Sequence, residues 1–421
     1  MDNKLQKYLI NGGKKLYGSV EVDCSKNAYL PILAACIMCD GIVVLNKCPN
    51  FLDISAMLKV LEVLGAKVET QKDSLYIDCK NIEFCFIPND LTKTIRSSIF
   101  VLGALLARLK KAKISYPGGC DIGLRPIDLH LKGLRQLGVE VNEKHGFIFC
   151  DASNFTPSVV TLDYPSVGAT ENLIMAATLS KGTTTILNAA QEPEIVDLQN
   201  FINKMGGQVC GAGTSQITIQ GVNSLNGTTY TPIPDRIIAS TLLIACAMTG
   251  GELLLTGCEP KHFLSITDKL IKSSCKITPN NDKIYIQSSG TLNSFGFLDT
   301  GPYPGFPTDV QTQMLALSTI CKGNTVICEN VFESRFKVVP ELCKMGANIK
   351  VFNKTAFIEG VKNLYGATVY ACDLRGGASL VLAGLCAKGY TTVCDIWHID
   401  RGYNKLEKTL TKLGADIHRV N

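Results

Sequence analysis

Apolar and polar positions along this chain recur with a long period. A short signature returns at intervals of about seventy residues: "LEVLGAKVE", "LRQLGVEVN", "INKMGGQVC", "CKMGANIKV" and "LTKLGADIH", with glycines at Gly65, Gly138, Gly206, Gly346 and Gly414. A degenerate copy, "IKSSCKI", places Ser274 at the same point. Ahead of each signature lies a helical pattern of small and apolar residues, such as "NAYLPILAACIM" or "GASLVLAGLCAK", preceded by a short strand. A glycine turn and a β-branched strand follow, as in "GIVVLN", "GTTTILN", "GNTVICE" and "GYTTVCD". A second, amphipathic helix then stops at the signature glycine, a usual C-terminal stop. Two more strands close the unit, as in "AKVET" and "SLYIDC". The pattern predicts six β-α-β-α-β-β units in an α/β protein. Six ordered copies are too many for coincidental Leu-Gly-Ala spacing. A solenoid would use shorter repeats and polar end caps, so three units per globular domain are expected. The segment "NGTTYTPIPDR" is the expected crossover between units three and four.

Composition narrows the class. At 421 residues the chain suits two domains, and 46% apolar with 19% charged residues describes a globular protein. Apolar runs are short and interrupted, so no membrane span is expected, and the first residues lack the apolar region of a secretory signal. The 18 cysteines show neither CxxC pairs nor Cys/His metal spacing, and most sit in apolar runs such as "LLIACAM". That usage fits a reducing cytoplasm. A net charge of +5 without a basic run permits an anionic ligand and gives no sign of nucleic-acid binding.

Arginine is the informative charge. Only nine of the 42 basic residues are Arg, and six of those nine (Arg96, Arg125, Arg236, Arg335, Arg375 and Arg401) fall where the repeats place a helix start. Basic residues there oppose the helix dipole, so an anion or a partner carboxylate is needed to explain them. Acidic residues at helix starts, such as Asp53, Asp197, Glu192 and Glu194, read first as caps or dipole partners. The second unit is also longer, through the glycine-rich insertion "PGGCDIGLRP". Cys120 therefore lies on an exposed polar loop spanning 115–126, where nearby cations can make a thiol reactive; an incidental cysteine is the alternative.

The segments "CSKNAYLPILAA", "KTIRSSI", "PGGCDIGLRPIDLH", "PSVGAT", "AAQEPEIVD", "FPTDVQTQ", "VFESRF", "DLRGGASLVLAG" and "HIDRGY" resemble the enolpyruvyl transferases along nearly the whole chain, in particular the branch acting on UDP-N-acetylglucosamine. The resemblance implies a two-domain inside-out α/β barrel with three repeats per domain: residues 1–25 plus 234–421 in one domain, 26–233 in the other. It implies transfer of the enolpyruvyl group of phosphoenolpyruvate to the 3′-hydroxyl of UDP-N-acetylglucosamine with loss of phosphate, the first committed step of peptidoglycan synthesis. Neither metal nor organic cofactor is implied, and a cytoplasmic monomer is.

Residue by residue, the resemblance makes Cys120 the acid at C3 of phosphoenolpyruvate and Asp309 the acceptor of the hydroxyl proton, with Lys26 and Arg401 completing the catalytic set. Lys26, Asn27, Arg125 and Arg401 would bind phosphoenolpyruvate. Asn27, Arg96, Arg125, Pro126, Ile127, Asp128, Leu129, Tyr164, Ser166, Val167, Gly168, Asp309 and Val331 would line the sugar nucleotide. Arg335, Arg375 and Glu192 would support them. Two departures stand out: Tyr164 where some members carry lysine, and Ile238 where glutamate is frequent. The alternatives are the shikimate-pathway enolpyruvyl transferase, which lacks the cysteine loop, and a silent paralogue that binds the nucleotide without turnover.

Overall fold

The computed structural model describes residues 6–88, 91, 96–118, 122–123 and 126–421. The chain divides into two compact units, one comprising Met1–Asp23, Asp121–Arg125 and Pro234–Asn421, the other Cys24–Cys120 and Pro126–Ile233.

Within the first unit three four-stranded sheets share one plan, a leading strand parallel to its neighbour and two further strands antiparallel. Leu16–Glu21 runs parallel to Gly251–Thr256, followed by Lys283–Ser288 and Lys276–Asn280. Phe297–Asp299 leads Asn324–Cys328, Thr355–Glu359 and Asn348–Phe352 in the same way. The third sheet departs from the sequence pattern. Thr368–Tyr370 leads Tyr390–Cys394, but the next strand is Lys7–Asn11, with Asp416–Val420 at the edge. Only one strand follows Gly414; the sixth repeat is completed by the start of the chain, because strand pairing needs proximity in space and not in sequence. The strand "KYLIN" alternates half-buried and buried residues, as that position requires.

The second unit repeats the plan. Thr229–Tyr230, from the far end of the unit, leads Ile42–Leu45, Ser74–Asp78 and Lys67–Gln71. Val159–Thr161 leads Thr183–Leu187, Gln216–Gln220 and Gln208–Cys210. In the sheet of Lys111–Ser115, Phe147–Asp151 and Glu140–Lys144 the leading strand shrinks to one bridge between Phe86 and Lys113.

The first helix of each repeat is buried along nearly its whole length. Arg236–Thr249, Thr308–Ser318 and Leu374–Cys386 do this in the first unit, and Lys26–Ala35, Val101–Leu109 and Val167–Thr178 in the second. Their composition follows: a helix apolar all round must be enclosed, and small residues let neighbours approach. A Cβ on Gly103 would stand 2.3 Å from the carbonyl oxygen of Asn172 on the adjacent helix. The second helices are amphipathic, and some of them are preceded by a 3-10 turn. Arg335 and Arg401 sit in 3-10 turns, Arg335–Val338 and Ile396–Arg401, ahead of the helices Val339–Lys344 and Leu406–Lys412. Arg96 likewise opens a 3-10 turn, Arg96–Phe100. Such tightened turns are common at helix entries, so these arginines do not occupy α-helical N-termini.

All five signature glycines adopt positive φ: Gly65 108°, Gly138 77°, Gly206 101°, Gly346 93° and Gly414 100°. Ser274, in the degenerate copy, does the same at 76°, where a side chain is strained. Ser274→Gly is expected to stabilise the protein by about 0.5 kcal/mol, the strain relief being offset by more unfolded-chain entropy and by loss of the Asn293 hydrogen bond to the serine hydroxyl (2.9 Å). Urea unfolding of the variant checks the sign.

Candidate active site

In the second unit the candidate residues gather at the starts of the buried helices. Ser25 caps Lys26–Ala35 by accepting from the Ala28 N–H (3.4 Å). Lys26, the first helical residue, is 9% exposed and pairs with the Asp53 carboxylate at 3.1 Å. An ammonium at a helix start works against the dipole; Asp53 supplies the compensating charge and fixes the direction of the lysine. Asn27 beside it is half-buried.

At the third repeat Ser166 caps Val167–Thr178, accepting from the Ala169 N–H (3.4 Å). The main-chain N–H groups of Val167 and Gly168 fall in the first turn, where a helix leaves donors without intrahelical partners. His130, in the first turn of Asp128–Gln136, presses against this start: a Cβ on Gly168 would meet its ring at 2.9 Å. His130 Nδ1 lies 2.9 Å from Asn172 Nδ2, and the Gly103 N–H donates to Asn172 Oδ1 at 2.7 Å. A backbone N–H can only donate, so the carboxamide is oriented with Nδ2 toward His130. Nδ1 is then an acceptor, and the proton resides on Nε2. Burial, reinforced by the Arg96 charge, pushes the imidazole down to about 3. His130 is therefore a neutral donor whose tautomer is set by Asn172. Arg96 itself reaches the Pro117 carbonyl at 3.4 Å. Ile127 is buried and Leu129 half-buried, whereas Pro126, Asp128 and Tyr164 are exposed.

Glu171, one turn into the same helix, is fully buried, and neither carboxyl oxygen has a hydrogen-bond partner among the described residues. Burial, then the charges of Glu194 and Glu192, hold it far above the usual carboxylate range. Asp197 is pushed up to about 6 by burial, although Tyr230 and the Ile233 N–H donate to it.

In the first unit the centre is Asp309, in the first turn of Thr308–Ser318. Arg335 donates to Asp309 Oδ1 at 2.7 Å and to the Thr308 hydroxyl at 3.1 Å. Arg375 donates to Asp309 Oδ2 at 3.4 Å. Both guanidiniums are 2% exposed, while the Asp309 side chain keeps 27% of its surface. Asp373 caps Leu374–Cys386 through the N–H groups of Arg375 and Gly376, and its carboxylate stands 3.7 Å from Arg335. Two buried guanidiniums on one carboxylate fix its orientation. Glu329 accepts from the hydroxyls of Thr300 and Thr308 and from the N–H groups of Val331 and Phe332, which sets the main chain at Val331. Arg401 is 8% exposed, at the end of its 3-10 turn. Ser334 N–H donates to the Ile122 carbonyl at 3.1 Å. Cys120 and Arg125 lie outside the described residues.

Asn172, Glu171 and Glu329 were not singled out by the sequence pattern. Glu329 had a signal: the β-branched strand ends in a polar residue in the repeats at Asn46, Asn188, Glu329 and Asp395. Asn172 and Glu171 had none, since both lie within an apolar helical run. Among the described residues no group of His, Cys, Asp and Glu could hold a metal ion.

Two pH measurements test these environments. Long-range 15N–1H correlation spectra should show His130 as the neutral Nε2–H tautomer, without titration over roughly pH 5 to 8. Asn172→Asp, which replaces the donor with a carboxylate, should bring its titration into that window. For Glu171 the folded pKa is raised, so its contribution to stability is full at low pH and lost as pH rises toward the folded value. Glu171→Gln should therefore gain on the wild type as pH increases and match it more closely in acid; unfolding at several pH values checks this.

Comparison with known proteins places these features. Residues 10–410 match the family model described as EPSP synthase (3-phosphoshikimate 1-carboxyvinyltransferase). The chain is 50% identical to UDP-N-acetylglucosamine 1-carboxyvinyltransferase 2 of Caldanaerobacter subterraneus, over 98% of this chain and 99% of the relative. It is 46% identical to UDP-N-acetylglucosamine 1-carboxyvinyltransferase 1 of Clostridium perfringens, over 99% and 100%. In structure it is similar to the enolpyruvyl transferase NikO from Streptomyces tendae, with a TM-score of 0.89, 24% identity and 99% of each chain covered. EPSP synthase from Acinetobacter baumannii superposes with a TM-score of 0.77 at 17% identity, over 99% of this chain and 100% of the other. A shared fold across such distances, with near-complete coverage by closer relatives, means that this chain belongs to the EPSP synthase family of enolpyruvyl transferases.

Proposed function

We propose that the protein transfers the enolpyruvyl group of phosphoenolpyruvate to the 3′-hydroxyl of UDP-N-acetylglucosamine and releases phosphate. The observation that carries this reading is the end-to-end similarity, at half identity, to relatives named for that activity. The side chains supply the chemistry it needs. An acid must protonate C3 of phosphoenolpyruvate as the sugar hydroxyl attacks C2, and a base must take the hydroxyl proton. Collapse of the tetrahedral intermediate then breaks the C2–O bond to phosphate, and C3 returns a proton to restore the double bond. Cys120 is assigned the acid role and Asp309 the base role. The two arginines hold the Asp309 carboxylate in one orientation, suited to accepting the proton as the C–O bond forms.

Lys26 and Arg401 are assigned to the anionic groups of phosphoenolpyruvate, together with Asn27 and Arg125. The first turn of Val167–Thr178 is assigned to the diphosphate, with the neutral Nε2–H of His130 as an adjacent donor. Tyr164 stands near that start in place of the lysine of some relatives, so diphosphate recognition here leans on main-chain donors. Every described cysteine is a free thiol, and no helix among the described residues is long and apolar enough to cross a membrane. We assign the protein to the cytoplasm, where a free thiol is maintained.

Phosphate release from phosphoenolpyruvate is the decisive assay, with UDP-N-acetylglucosamine or shikimate 3-phosphate as acceptor. Turnover is expected with the sugar nucleotide alone; turnover with shikimate 3-phosphate would transfer the chain to the other branch, and binding without turnover would mark a silent paralogue. Cys120→Ala should lower kcat by at least about a hundred-fold, the ordinary contribution of general acid catalysis, whereas Cys120→Asp keeps a proton donor and part of the activity. Mass spectrometry after treatment with an epoxide of the fosfomycin type should find the label on Cys120 and not on the buried thiols.

A further inference from the structure

Arg401 ends a 3-10 turn that has little internal support. The turn's capping residue, Asp395, is in the left-handed region and makes no side-chain cap. Six residues of 3-10 geometry are intrinsically weak, yet a guanidinium that must meet a small, highly charged substrate has to be placed accurately. One support comes from the residue next to it. Asp400 is gripped at both carboxylate oxygens by Arg419, Nη1 to Oδ2 at 2.9 Å and Nη2 to Oδ1 at 2.5 Å.

Arg419 is itself held by several partners. Its main chain lies in the strand Asp416–Val420, paired antiparallel with Lys7–Asn11 so that Arg419 faces Tyr8. Its guanidinium stands over the Tyr8 ring, 5.2 Å from the centroid, and donates to the Tyr8 hydroxyl at 2.9 Å and to Gln6 Oε1 at 3.0 Å. The Tyr8 hydroxyl donates in turn to Glu407 at 2.8 Å, and Arg419 Nε approaches Glu407 Oε1 at 3.4 Å. The side chains of Asp400 and Glu407 are only 15% and 9% exposed. A forked, partly buried pair of this kind fixes direction as well as distance, unlike a fully exposed ion pair.

We propose that Arg419 is a positioning residue for Arg401: its two-pronged hold on Asp400 ties the Ile396–Arg401 turn to the strand Asp416–Val420 and so sets where the Arg401 guanidinium meets phosphoenolpyruvate. The inference rests on the assignment of Arg401 to that substrate. Among the described residues, the hydrogen bonds and ion pairs of Arg419 go to Gln6, Tyr8, Asp400 and Glu407, none of them assigned to the nucleotide, so the effect is expected to be selective for one substrate. Lysine cannot replace Arg419, because an ammonium does not reproduce the fork.

Steady-state kinetics of the full chain test this with Arg419→Ala, Arg419→Lys, Asp400→Asn, Arg401→Ala and the double variant Arg401→Ala/Arg419→Ala. Arg419→Ala should raise KM for phosphoenolpyruvate by roughly ten-fold or more, as displacement of a binding group by about an ångström would, and leave KM for UDP-N-acetylglucosamine unchanged. Arg419→Lys should recover little of the loss. In the Arg401→Ala background the further change Arg419→Ala should cost nothing more, which a purely structural role does not predict. If Arg419→Ala folds poorly, Asp400→Asn carries the same test from the other partner. A KM for phosphoenolpyruvate raised by Arg401→Ala but not by Arg419→Ala overturns the positioning role and leaves the function standing. An equal loss from Arg419→Ala with and without Arg401 also overturns it. A KM unmoved by Arg401→Ala overturns the assignment of Arg401 itself, and the inference with it.

Discussion

A helix enclosed on every side can offer polar chemistry only at its ends, and this constraint organises each unit. The first helices of the repeats are buried along nearly their whole length, so their side walls belong to packing. What remains for polar groups is the first turn, with its donor-rich backbone, and the loops that arrive there. Lys26, Ser166, Asp309 and Arg375 all occupy such starts. Repetition of one unit thus produces several similar sites, and the differences between them are made by single side chains.

Charges brought to these starts are partly desolvated and must be compensated nearby, since an isolated buried charge is costly. Each unit answers with its own pairs. Asp53 meets Lys26 in one, and Arg335 and Arg375 meet Asp309 in the other. Such compensation also orients the groups before any substrate arrives, the arrangement that electrostatic stabilisation of a transition state requires. His130 follows a different route to the same end. It carries no charge, and a carboxamide held by a backbone N–H selects which nitrogen bears its proton.

Much of the architecture was legible in the sequence because it depends on local rules. Glycine, or once Ser274, at a position that needs positive φ marks the end of the second helix in all six repeats, and small-residue helices announce their own burial. The arginines at repeat starts drew attention because lysine is the ordinary surface cation of this chain. Less was legible where 3-10 turns replaced helix ends at Arg96, Arg335 and Arg401, since a shortened turn leaves the apolar period almost unchanged.

The sequence by itself determined the repeat, the identity of the helix stops and the residue types available for chemistry, all consequences of backbone preference and side-chain polarity over a few neighbouring positions. Only the tertiary structure decided the partners. Lys7–Asn11 completing the last sheet, Asn172 facing His130, Arg335 and Arg375 converging on Asp309, and Arg419 holding Asp400 join residues from 19 to 413 positions apart in mixed order. Such pairings arise from sheet registry and helix packing, which depend on which surfaces meet in space, and no local pattern along the chain encodes them.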